Sequence, residues 1–147
     1  MTIPIASDHA GYQAKEAVKA VLKEAGYTPE DFGTHSSDSV DYPDYAVSVS
    51  EKVDSGEYTR GILICGSGQG MCMTANKFKN VRAALVYSET TARLTRQHNN
   101  ANILCLPGRE LSESDLKNIV LSWLSTEFEG GRHKGRVNKI HNLTTNC

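Results

Sequence analysis

The sequence predicts an α/β fold: a doubly wound, Rossmann-like three-layer arrangement around a five-stranded parallel sheet. Three observations carry this expectation. Short apolar runs alternate along the chain with longer segments of helical period, the pattern of successive βαβ units. The run Ile62-Leu63-Ile64-Cys65 has no polar alternation, as expected where helices cover both faces of a strand. A chain of 147 residues, 39% hydrophobic, is enough for one compact domain and too short for two, so residues 1–147 are expected to form a single domain.

Residues 3–7 are the first strand. Beyond Gly11, the residues Ala14, Val18, Val21, Leu22 and Ala25 fall on one helical face, and Gly26 ends that helix. A weak extended piece follows at 28–32. Asp41-Tyr42-Pro43 then starts a second helix, with proline in an early position and Ala46, Val49 and Val53 behind it. The third strand spans 61–65 and is broken by Gly66-Ser67-Gly68-Gln69-Gly70, after which Met71, Ala75 and Phe78 continue as a helix. Residues 81–87 predict a fourth strand. Ser88 caps the next helix, which contains Ala92, Leu94 and Thr95 and closes at His98-Asn99-Asn100. A fifth strand at 103–106 precedes Ser112-Glu113-Ser114-Asp115, which opens a helix burying Leu116, Ile119, Val120, Trp123 and Leu124. Gly130-Gly131 separates a last basic helix at about 132–143.

Composition narrows the function. Sixteen Lys and Arg against seventeen Asp and Glu give a formal charge of -1, so no global field favours nucleic acid or an anionic membrane. The basic cluster near the C-terminus lacks interleaved aromatic residues for stacking RNA bases. No apolar run approaches the roughly 18 residues of a membrane span. Residues 1–7 have no basic flank and reach Asp8 and His9 before a signal-type stretch could form, so a cytoplasmic location is expected. The four cysteines form no CxxC pair and have no histidines at zinc-finger spacing, so neither a disulfide framework nor a metal is expected. Cys72, Cys105 and Cys147 read as small buried hydrophobes.

In open α/β sheets ligands collect at the carboxyl ends of the strands. The polar residues expected there, as a rim around one edge, are Asp8 and His9 after the first strand and Cys65 with the glycine loop after the third. His98, Asn99 and Arg109, near the fifth strand, are expected on the same rim. The loop Gly66, Gly68, Gly70 is a GxGxG that meets Met71 where a dinucleotide fingerprint needs glycine, and no P-loop Gly-Lys-Ser/Thr occurs. Its amides suit an anion such as a phosphate or an enolate oxygen; a tight strand-to-helix turn is the competing reading. Cys65 precedes that loop, where the following helix can lower a thiol pKa from about 8.5 toward neutrality, and it reads equally as a packed core cysteine. His98 is either a proton-transfer group or a partner for the helix dipole. Asp8-His9 is either functional or an N-cap pair. Arg132 and Arg136, four apart, would place two guanidinium groups on one side of a helix, as a phosphate clamp requires, or form a solvated basic tail with His133, Lys134 and Lys139.

Six blocks in order are similar to the ribose-5-phosphate isomerase B family, which includes galactose-6-phosphate and allose-6-phosphate isomerases. They are Ser-Asp-His-Ala-Gly at 7–11, Asp-Tyr-Pro-Asp-Tyr-Ala at 41–46, Gly-Ile-Leu-Ile-Cys-Gly-Ser-Gly-Gln-Gly-Met at 61–71, Ala-Asn-Lys at 75–77, Arg-Gln-His-Asn at 96–99 and Glu-Gly-Gly-Arg-His at 129–133. The resemblance implies an aldose-ketose isomerase that needs no metal or other cofactor and passes through a cis-enediolate. It implies Cys65 as the base between C1 and C2, His98 as the acid that opens the furanose ring, and Asp8 on the sugar hydroxyls. The amides of Gly66, Ser67, Gly68, Gln69 and Gly70 would hold the enediolate, with the Ser67 hydroxyl bonding or protonating it. His9, Arg132 and Arg136 would grip the phosphate, with Arg109 contributed by a second subunit, and Tyr42 and Asn99 would line the sugar. Many members carry threonine at the position of Ser67, and a subgroup without the cysteine carries glutamate at the position of Met71; Cys65 with Met71 places this chain in the cysteine subgroup. The implied substrate is ribose 5-phosphate or ribulose 5-phosphate, with a six-carbon sugar phosphate or a noncatalytic phosphosugar-binding role as alternatives. The implied assembly is a homodimer or homotetramer with shared sites.

Overall fold

A computed structural model describes residues 1–144; Cys147, expected to be a small buried hydrophobe, lies outside the described residues. The elements follow the predicted order: β1 (Thr2–Ser7), α1 (Tyr12–Glu24), β2 (Thr28–Asp31), α2 (Tyr42–Asp54), β3 (Gly61–Cys65), α3 (Gln69–Ala75), β4 (Ala83–Leu85), α4 (Glu89–Asn99), β5 (Ile103–Pro107), α5 (Glu113–Ser125) and α6 (Arg132–Leu143). All strands are parallel, in the order β2-β1-β3-β5-β4.

The alternation of side chains along each strand divides the apolar residues between two faces. Ile3, Ile5, Ile62, Ile64, Leu104 and Leu106 face one side, under Val18 and Leu22 of α1, Ala92 of α4 and Leu116, Ile119, Val120 and Trp123 of α5. Ala6, Leu63, Cys65, Ile103 and Cys105 face the other, under Ala46, Val49 and Val53 of α2 and Met71 and Ala75 of α3. The unbroken apolar run of β3 is explained by this double cover. Ser112 and Asp115 form a reciprocal capping box at the start of α5, and the Ser88 hydroxyl accepts from the Thr91 N–H at the start of α4.

Several expectations are corrected. The fourth strand was expected over 81–87 and covers only Ala83–Leu85. It is an edge strand, and the Asn76 side chain occupies its open side: Oδ1 accepts from the Ala83 N–H at 2.9 Å and Nδ2 donates to the Ala83 carbonyl at 3.0 Å. That blocks edge-to-edge pairing. α3 ends at Ala75, so Phe78 packs from a turn instead of a helix. Ala25 is exposed at the end of α1, and Leu94 is exposed on α4 while Arg96 is buried. Cys72 is half-buried, its thiol directed at the Ala83 carbonyl 3.5 Å away.

Buried charges organise opposite ends of the sheet. Arg60 and Arg96 each approach the Trp123 ring, with guanidinium carbons 5.7 Å from its centroid. Arg60 donates to the Leu124 carbonyl, and Arg96 to the Thr126 and Ala101 carbonyls at 3.2 and 2.6 Å. Burial, reinforced by the like charge of Arg60, lowers the Arg96 guanidinium to about 10. At the other end Lys15, with none of its side chain exposed, meets Asp31 at 2.6 Å, and Lys19 meets the same carboxylate at 2.6 Å.

Candidate active site

The chain turns from β1 outward to β2 and then resumes on the far side of β1 with β3, so the topology switches direction at the carboxyl ends of β1 and β3. Such a switch point is where this class of sheet binds ligands. Asp8 and His9 emerge there from β1, and Cys65 and the glycine loop from β3. The two ends are tied together: the Asp8 N–H donates to the Ile64 carbonyl at 3.2 Å.

Asp8 is buried, and its Oδ1 accepts from the Gly11 N–H at 2.9 Å, so one oxygen shapes the turn into α1. A carboxylate carries a second oxygen able to accept a ligand hydroxyl. The N-cap reading and the functional one are thus compatible. Gly11 is needed because a Cβ there would lie 2.5 Å from the Ile64 carbonyl oxygen. His9 Nδ1 faces the Val40 N–H at 3.2 Å. Accepting that bond assigns the proton of the neutral ring to Nε2, which becomes a donor for an anion.

Cys65, the last residue of β3, is 4% exposed, and its side chain lies with Ala6, Met71 and Cys105 on the α2–α3 face. Burial, with a contribution from Cys72, pushes the Cys105 thiol well up, which leaves it protonated and inert. Pairing of β3 with β5 continues past the strand ends, because the Gly108 N–H donates to the Cys65 carbonyl at 2.8 Å and the Arg109 N–H to the Gly66 carbonyl at 3.2 Å. Among the described residues the N–H groups of Ser67 and Gly68 meet no acceptor. Gly68 sits at φ +74°, and a Cβ there would come 2.5 Å from Leu85. The Ser67 hydroxyl lies 3.4 Å from the Gln69 N–H. Tyr42, at the start of α2 and 42% exposed, lays its ring over Gly70, where a Cβ would stand 2.6 Å from it.

The expected single rim is corrected. Arg109, expected from a second subunit, lies against its own glycine loop: a Cβ on Gly66 would be 3.3 Å from its Cδ and 3.4 Å from its Nη1. It follows β5, which ends beside β3. His98 and Asn99 lie at the other end of the sheet. α4 begins after the carboxyl end of β4, runs back and finishes just before β5 begins. The five residues of β3 alone separate the two ends by roughly 16 Å.

The second cluster includes α6. Its first turn brings His133 onto His98, with ring centroids 4.3 Å apart and planes at 13°. His133 Nε2 lies 3.6 Å from the Glu129 carboxylate. Burial first, then His98 and Arg132, lower the His133 pKa against the pull of Glu129. Arg132 and Arg136 are exposed beside this stack, as a helical spacing of four requires. Asn99, also exposed, borders a cavity of about 700 Å³ with Arg82, Ile140 and His141. Among the described residues, His98, Glu129 and His133 most nearly resemble a metal set, their ligand atoms within 4.8 Å of one another. Parallel rings aim their lone pairs side by side, whereas a tetrahedral site converges nitrogens to about 3.4 Å, so the arrangement suits a stack better than a metal.

Sequence reasoning misses Lys15 and the stacking of His133. Lys15 stands on the buried stripe of α1, three before Val18 and seven before Leu22, a placement that signals a buried partner. The sequence marks His133 only as added charge beside the two arginines.

The family model for ribose/galactose isomerases matches residues 3–140. The chain belongs to the ribose/galactose isomerase family. Ribose-5-phosphate isomerase B of Escherichia coli strain K12 is 43% identical over 138 residues, covering 94% of this chain and 93% of that protein. Among solved structures, the ribose-5-phosphate isomerase B of Clostridium thermocellum superposes with a TM-score of 0.96 at 48% identity, covering 99% of this chain and 98% of the other. That of Mycoplasma genitalium, which holds ribulose-5-phosphate, superposes with a TM-score of 0.94 at 45% identity, covering 99% of this chain and 97% of the other. As in these isomerases, the sheet is the three-layer Rossmann-like form expected from the sequence. No helix among the described residues is long and apolar enough to cross a membrane.

Proposed function

We propose that this chain, as one sugar-phosphate isomerase domain, interconverts ribose 5-phosphate and ribulose 5-phosphate in the cytoplasm. We further propose that it does so in a homodimer, or a homotetramer built from two such dimers, whose sites draw on two copies. The observation that carries the shared site is the separation of Cys65, Asp8 and the glycine loop from His98, Asn99, Arg132 and Arg136 at opposite ends of one sheet. Neither half contains the thiol, the ring-opening histidine and the arginine pair together. A two-fold contact brings the second half of one copy onto the first half of the other, twice.

The chemistry then runs in order. The His98 imidazole of the facing copy moves a proton from the anomeric hydroxyl to the ring oxygen, which breaks the bond between C1 and that oxygen and opens the furanose to the aldehyde. Asp8 and Tyr42 hold the open chain. Cys65, as thiolate, removes the proton on C2, and the electron pair moves to the carbonyl oxygen, giving an enediolate. The N–H groups of the 66–70 loop stabilise that oxygen; one such donor contributes about 3 to 4 kcal/mol. Ser67 passes a proton between the two oxygens, and Cys65 returns its proton to C1. His9, Arg109, Arg132 and Arg136 hold the phosphate, far from the reacting carbons, so that binding energy orients C1 and C2 at the thiol.

Incubation with ribulose 5-phosphate in deuterated water tests the reading: label entering the sugar carbon supports catalysis, and binding without exchange supports a noncatalytic phosphosugar-binding protein. A panel of five- and six-carbon aldose phosphates compared by kcat/KM fixes the chain length. Arg136→Ala should raise KM by about 10- to 100-fold, the loss of one charged hydrogen bond, and leave kcat nearly unchanged, because the contact is present in ground and transition states alike. A fall in kcat alone would remove Arg136 from the clamp.

A further inference from the structure

We propose that His133 is a positioning residue for the isomerisation: stacked on His98, it fixes the plane and direction of the imidazole that opens the sugar ring. This rests on the function proposed above and adds to it a residue that touches no substrate.

His98 stands in the last turn of α4, and Asn100 behind it is left-handed, at φ 48°. A helix end frays, and a half-buried histidine there has several staggered orientations open to it. A general acid, by contrast, must stay within about 3 Å of the atom it protonates. The structure supplies a restraint from outside the helix. The His133 ring, 7% exposed, covers one face of the His98 ring at 4.3 Å and 13°. The Glu129 carboxylate lies 3.6 Å from His133 Nε2, and the backbone N–H of Glu129 donates to the Gln97 carbonyl at 3.1 Å. The segment before α6 is therefore fastened to the residue next to His98, and α6 returns a ring onto His98 itself. The groups facing the pair are Glu129, Arg132 and Arg136. Two parallel imidazolium ions beside two guanidinium groups would repel; the lowered pKa of His133 fits a neutral ring presenting a flat face and no competing charge. Holding His98 through its face leaves the ring edge, with its nitrogens, for the sugar.

Ribulose 5-phosphate separates the two steps, because its esterified C5 oxygen cannot close a five-membered ring on C2. Base chemistry on it needs no ring opening. In His133→Ala we expect net conversion of ribose 5-phosphate to fall by about 10- to 100-fold, the cost of a misplaced group. Exchange of deuterium from solvent into ribulose 5-phosphate should stay within about twofold of wild type. His133→Phe, which keeps a flat ring over His98, should recover most of the conversion. Unchanged conversion in His133→Ala, an equal loss of both activities, or failure of His133→Phe to improve on alanine would each overturn the proposal. A wild-type protein inert in both assays would instead remove the isomerase reading on which it rests.

Discussion

Cys65→Ala is expected to lower both isomerisation and solvent exchange by about 10³- to 10⁴-fold, the upper part of the range for a positioned acid or base. The neighbouring groups have other tasks in the proposed mechanism: Asp8 shapes the turn through the Gly11 N–H and meets the sugar hydroxyls, His9 accepts from the Val40 N–H and meets the phosphate, and the buried Cys105 thiol is pushed up. The Cys65 thiol is small and sits against Ala6 and Met71, so alanine leaves only a minor cavity and the fold should persist. The phosphate contacts lie elsewhere, so affinity for an unreactive five-carbon sugar-alcohol phosphate should change by less than about threefold. Calorimetric titration and a coupled ketose assay measure the two. Turnover close to that of wild type would remove Cys65 as the base.

Asp31→Ala is expected to destabilise the protein by about 3 to 5 kcal/mol, since it leaves the buried Lys15 ammonium without its close partner. Replacing Lys15 by methionine in the same chain should recover most of the loss, because removing both charges from a buried pair is far less costly than removing one. Urea midpoints of the three proteins check this; equal stability of Asp31→Ala and wild type would contradict it. The pH dependence has a definite sign. Burial tends to raise the Asp31 pKa, but Lys15, Lys19 and the Gly33 N–H outweigh it and hold the carboxyl at about 2. A folded value below the unfolded one of about 3.9 gives stability that is complete above that value and is lost as pH falls toward 2. The effect reaches the site. Asp31 accepts from Gly33, whose carbonyl accepts from the Ser7 N–H at 2.7 Å, and the Thr34 N–H donates back to Ser7 at 2.8 Å. The ion cluster thus braces the residue before Asp8.

Much of this was legible in the residues because local rules and burial agree. The run 61–65 could only be a doubly covered strand, and the Gly66-Ser67-Gly68 turn after it had to carry the loop to α3, since only glycine fits at φ +74° against Leu85. α6 began and ended where the glycine pair and the basic residues placed it. The ends of β4 were not legible: its open side is occupied by Asn76, a contact seven residues away that no periodicity reports. The division of the site was readable in principle. A residue just before a parallel strand lies at the amino end of the sheet and one just after it at the carboxyl end, which separates His98 from Arg109 although both flank β5. Grouping residues by nearness in sequence to a strand loses that direction. The Lys15–Asp31 pair needed tertiary structure, because β2 is short and polar and gives no sign of which helix covers it.

The most direct test of a site assembled from two copies is complementation between two inactive variants. Cys65→Ala and His98→Ala are co-expressed in equal amounts with different tags, and the purified mixture is assayed with ribose 5-phosphate. In a mixed dimer one site carries both lesions and the other carries neither, so random pairing should restore about a quarter of wild-type activity. Activity no greater than that of the separate variants, in a mixture shown by its tags to contain mixed dimers, would mean that base and ring-opening histidine do not meet across copies of this chain.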